Sequence, residues 1–133
     1  MGQVPTWAII TVRTSLAALW AFEGLWTKVI LQDPHELGIV ASATSKFGLH
    51  GQPVMFAIGG CETILAFVVV SGWKTRAVAF VQGGALLTMN LLGIAIGGGH
   101  VKEPISLMVH NLPTFASIAL LASLGGEDRV SSK

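Results

Sequence analysis

Glu23, Glu62 and His110 stand where apolar residues are expected, each inside a long hydrophobic run, and Lys28, Asn90 and Asn111 do the same. Carboxylates and an imidazole hold and pass protons, and an ammonium holds negative charge. Amides donate to a carbonyl and accept from a hydroxyl. These six side chains are the candidate lining of a small-molecule pocket. Metal chemistry suits them less well. Di-metal helical bundles carry Glu-x-x-His pairs, and neither Glu23 nor Glu62 has a histidine three residues on. No second histidine within a run opposes His110 as a haem ligand. No metal site is expected.

The runs that must position these residues cover about 6–31, 53–72, 77–97 and 105–124. A helix of roughly 20 apolar residues crosses a bilayer core. The expected fold is therefore an all-α membrane protein, a four-transmembrane-helix bundle forming one domain over residues 1–133. Between the first two runs, Asp33-Pro34-His35-Glu36 has the form of a helix start, with Asp33 as cap and Pro34 at the first position. Leu37, Val40, Ala41 and Thr44 follow at helical spacing. This predicts a short amphipathic helix, on the membrane surface or folded back over the bundle, ended by Gly48 or Gly51. Residues 125–133 are read as a polar C-terminal tail. No basic segment precedes the first run, which is read as a retained span rather than a cleaved signal.

Depth follows from the helical rise of 1.5 Å per residue. Glu23 lies about 12 Å from the nearer end of its run, Glu62 about 14 Å, and Asn90 and His110 about 10 Å each. All four spans thus place a polar group at one level. Ionisable groups inside a span usually face the bundle interior, so convergence on one pocket is expected, with Lys28 near its mouth. Arg13 and Gln82 share a level in the other half. His35, His50 and His100 lie in the loops capping the pocket side. Gly59 and Gly60, Gly83 and Gly84, and Gly93 with Gly97 would let helices approach closely.

Hydrophobic residues make up 52% of the chain and charged residues 11%, against roughly 25% charged in soluble domains. A net charge of +1 offers no basic face for nucleic acid. The lipid bilayer is the first expected partner, with other membrane subunits or a second copy after it. Cys61 is the one cysteine, so an intrachain disulfide is excluded, and a buried inert thiol is expected.

Arg13, then Phe22-Glu23-Gly24-Leu25-Trp26-Thr27-Lys28 and Pro34-His35-Glu36-Leu37, resembles the opening of DoxX-like membrane proteins. Gly59-Gly60-Cys61-Glu62, Asn90 and His110-Asn111-Leu112-Pro113 continue the likeness. The resemblance implies a four-helix membrane bundle in a bacterial cytoplasmic membrane. It also implies association with redox complexes, because some relatives are membrane subunits of thiosulfate:quinone oxidoreductases. Two functions are then expected to compete. One is an oxidoreductase subunit that binds quinone or a similar small molecule. The other is a non-catalytic structural or assembly subunit of a larger protein complex. Four spans put both termini on one side, with Lys74, Arg76, Arg129 and Lys133, against Lys28, Lys46 and Lys102 opposite. Basic residues favour the cytoplasm. Cysteines introduced at Gly2 and Lys133, with Cys61 replaced by serine, should resist an impermeant maleimide until cells are opened. Labelling of intact cells would reverse the orientation.

Overall fold

A computed structural model describes residues 4–96, 99 and 102–125. Helix α1 covers Thr6–Ala21 and widens without a break into a π-helical segment, Phe22–Ile30. Helices α2 (Pro34–Ser45), α3 (Gly51–Ser71), α4 (Thr75–Ile96) and α5 (Pro104–Leu124) follow. Among the described residues, four stretches are long and apolar enough to cross a membrane: Thr6–Ile30, Gly51–Ser71, Thr75–Ile96 and Pro104–Leu124. The expected four-span bundle with a short helix after the first span is therefore the observed fold.

The start of α2 is built as its sequence requires. Asp33 Oδ1 accepts the backbone N–H groups of His35 at 2.9 Å and Glu36 at 3.1 Å, and Pro34 occupies the first turn. These bonds satisfy donors that a helix start leaves open. Of its two expected placements, α2 takes the folded-back one, packed on α3 and α4. It ends at Ser45, and Gly48 turns the chain with φ +69°. Gly51 opens α3 instead of closing α2.

One half of the bundle is an apolar core. Leu16, Ala17, Trp20, Ala66, Val69, Val78, Ala79, Ile118 and Leu121 form it, from all four spans. Arg13 and Gln82, expected at one level, have separate partners here. Arg13 Nη2 donates to Thr75 Oγ1 at 3.3 Å, beside the α3–α4 turn. Gln82 is fully buried and accepts from Trp20 Nε1 at 2.9 Å. A side chain on Gly125 would meet Arg76, so the end of α5 lies on the side of that turn. The opposite half, under α2, holds the polar residues.

The spans pack unevenly. α1 with its π segment packs along α3, α4 packs along α5, and α3 scarcely touches α4 although one short turn joins them. The tightest crossing is between Gly24 and Gly59. A Cβ on Gly24 would lie 2.7 Å from both Glu62 Cβ and Gly59 O, and one on Gly59 would lie 2.7 Å from Gly24 O. The two backbones meet because neither residue has a side chain. Gly60 and Gly84 face open space, Gly83 has ordinary clearance, and Gly97 lies outside the described residues. Gly24→Ala and Gly59→Ala should each destabilise the bundle by about 1–3 kcal/mol through overpacking, while Gly60→Ala should be nearly silent. Thermal unfolding in detergent distinguishes them, and equal melting points for all three would contradict the crossing.

Candidate functional site

The π segment sets the site's geometry. Leu31 N–H donates to Trp26 O at 2.8 Å, five residues back. Thr27 Oγ1 donates to Phe22 O over the same interval at 3.1 Å. In an α-helix, residues five apart diverge by about 140°. An i→i+5 ladder brings them towards one face. Glu23 and Lys28 are five apart, and so they meet.

Lys28 is the centre of the site. Its Nζ lies 3.1 Å from Glu62, 3.7 Å from Glu36 and 3.8 Å from Glu23. The Lys28 and Glu62 side chains are each 4% exposed, while Glu23 and Glu36 are half-buried. The carboxylates come from the π segment, α2 and α3, so one ammonium ties three elements together.

The hydrogen bonding around this cluster is incomplete. Glu62 Oε2 lies 3.1 Å from Lys28 Nζ as a close ion pair, and Glu62 Oε1 has no hydrogen-bond donor among the described residues. Asn90 is buried, with Oδ1 accepting from Asn111 Nδ2 at 2.9 Å. Its own Nδ2 has no hydrogen-bond partner among the described residues. Buried polar groups are nearly always paired; Arg13 Nε and Gln82 Nε2, in the other half, also lack a partner among the described residues, but Glu62 Oε1 and Asn90 Nδ2 differ in what lies beside them. They border a chamber of about 260 Å³. Glu23, Lys28, Glu36, Glu62, Asn90 and Asn111 supply its polar wall, and Trp20, Leu86, Met89 and Leu107 its apolar one.

Five of the six expected residues therefore converge, and His110 does not. His110 is exposed, with Nδ1 2.7 Å from Ser106 O of its own helix. It lines a separate vestibule of about 670 Å³ with His35, Lys102 and Glu103. Its depth is as expected, but its azimuth on α5 points elsewhere. Glu36, Ile39 and Leu107 border both spaces. Two further corrections follow from packing. Lys28 sits at the middle of the cluster instead of its mouth, because the π turn carries it inwards. Cys61 is exposed on the outer face instead of buried, because Glu62 points inwards and neighbours on a helix diverge by about 100°. Sequence reasoning missed Glu36. The signal was present in the Asp33 cap, which fixes Glu36 in the first turn of a helix folded over the pocket. His50 is exposed at the start of α3, and His100 lies outside the described residues.

The shared ion pair has unequal consequences for its members. Lys28→Met strands buried carboxylates without a cation, and breaking such a pair costs about 3–5 kcal/mol. Glu62→Gln leaves Lys28 with Glu23 and Glu36, so the loss should be smaller, about 1–3 kcal/mol. Glu36→Gln should also be measurable, and Glu103→Gln should not. Equilibrium unfolding in detergent checks the order. A Lys28→Met protein as stable as Glu62→Gln would show that Lys28 is not the common counter-ion.

The DoxX-like family model matches residues 17–122, which include the whole Lys28 cluster, the chamber and almost all of α5. No curated protein and no solved structure shows significant similarity to the chain. With four apolar spans around a polar interior, the chain is an integral membrane protein that belongs to the DoxX-like family.

Proposed function

We propose that this protein binds a quinone, or a small molecule with a similar headgroup, in the chamber around Lys28, as the membrane subunit of a redox complex. The observation that carries the reading is that Glu62 Oε1 and Asn90 Nδ2 stand without a hydrogen-bond partner at the chamber wall. Glu62 offers acceptors and Asn90 Nδ2 a donor. A quinol hydroxyl donates to the first, and a ring oxygen accepts from the second. The apolar wall of Trp20, Leu86, Met89 and Leu107 suits a ring. Reduction of a quinone takes up electrons and protons in equal number. The electrons come from a partner subunit. The protons come through the carboxylates, with Glu36 between the vestibule and Glu62. His35, His110 and Glu103 then serve the water-facing end of that route and do not touch the headgroup.

A second reading is a structural or assembly subunit, favoured by one observation. Lys28 already satisfies the charge of Glu62 at 3.1 Å, so the cluster can also be read as a lock between helices. Mass spectrometry of small molecules retained by gently extracted protein separates the two. A bound quinone is expected in the wild type. Asn90→Leu should retain at least about ten-fold less, a loss of ~1.4 kcal/mol, while His110→Ala should retain it. An empty wild type that still assembles with other subunits would favour the structural reading.

A further inference from the structure

We infer that the chamber is reached sideways from the bilayer, through an apolar groove between α3 and α4 that holds the hydrocarbon tail of the bound molecule. The inference rests on the headgroup reading above and adds where the rest of the ligand lies. The groove has a volume of about 720 Å³. Ala57, Cys61 and Leu65 of α3 face Val81 and Ala85 of α4 across it. Trp20, Glu62 and Met89 line both this groove and the chamber. The two spaces therefore share a wall, and Glu62 stands in it. The groove follows α3 from Pro53 to Val68, a length of about 22 Å at helical rise. It exists because α3 and α4 touch little, whereas α2 packs on α3 and α4 packs on α5.

The polar wall at mid-groove selects the occupant. A phospholipid keeps its headgroup at the membrane interface and would lay only methylene groups against Glu62. A carboxylate oxygen still short of a hydrogen-bond donor, as Glu62 Oε1 is, gains nothing from them. A chain-bearing molecule with a small uncharged headgroup matches both surfaces. Its ring passes Glu62 into the chamber and its chain stays among Ala57, Leu65 and Ala85. A helix of a second copy would cover the same groove but would close this path.

The test uses the protein in phosphatidylcholine nanodiscs with two fully ring-substituted benzoquinones, which cannot arylate Cys61. One carries a long alkyl chain bearing a diazirine, and the other a methyl group in its place. Photolysis should label α3 and α4 at the groove, and excess non-photoreactive long-chain quinone should displace the label. Ala57→Trp, at an exposed position, should weaken the long-chain compound about ten-fold or more. Binding of the chain-free compound should stay within about two-fold, which also shows that the variant is folded. Label scattered over the lipid-facing helices and not displaceable would overturn the inference, as would equal weakening of both compounds. So would a chain-to-chain cross-link across the groove in a stable dimer. Saturable binding of the chain-free compound in those cases would leave the headgroup reading standing. Binding of neither compound to the wild type would remove both.

Discussion

A lysine ammonium buried within a membrane bundle is the constraint on which the rest of this structure depends. Charge inside the hydrocarbon region is expensive unless it is paired. Lys28 is paired three times, with Glu23, Glu36 and Glu62. Those partners belong to three elements, and each has to be delivered to within a few ångströms of Nζ. The π turn delivers Glu23. The Asp33 cap sets the direction of α2 and so delivers Glu36. The Gly24–Gly59 contact lets α3 come close enough for Glu62. Several features that look independent in the sequence are thus conditions for one ion cluster.

The two halves of the bundle divide the work. The half beside the α3–α4 turn has an apolar core crossed by the Trp20–Gln82 and Arg13–Thr75 hydrogen bonds, although Gln82 Nε2 and Arg13 Nε lack partners among the described residues. It can hold the helices without help from the polar half. The region under α2 differs in that its unpartnered atoms, on Asn90 and Glu62, border a chamber. The apolar core also lets α3 and α4 stand apart at the membrane surface without loss of the fold.

Depth was legible in the sequence and azimuth was not. The spans, the start of α2 and the common level of Glu23, Glu62 and Asn90 follow from run length, capping chemistry and a fixed rise per residue. Which way a side chain points depends on the neighbouring helices and on the local helical register. His110 lies at the right height and faces the vestibule. Cys61 and Glu62 are adjacent, yet one faces out and the other in. The π segment was the least legible feature, because a 3.6-residue period carries no mark of an i→i+5 ladder. Missing it hid the Glu23–Lys28 contact and left Lys28 at the mouth. Glu36 enters the sequence analysis only as part of a helix start, since nothing local to it shows that α2 returns over the polar half.

The central claim is that Lys28 is the shared partner of carboxylates from three elements. Solid-state NMR in bilayers measures this directly, with ¹⁵N at the lysine Nζ atoms and ¹³C at the glutamate carboxyls. One lysine signal should show strong dipolar coupling to glutamate carboxyl carbon. That signal should vanish in Lys28→Met, and its coupling should weaken stepwise in Glu62→Gln and then Glu62→Gln with Glu36→Gln. A lysine spectrum without such a coupled signal, or coupling untouched by removing Glu62, would contradict the account.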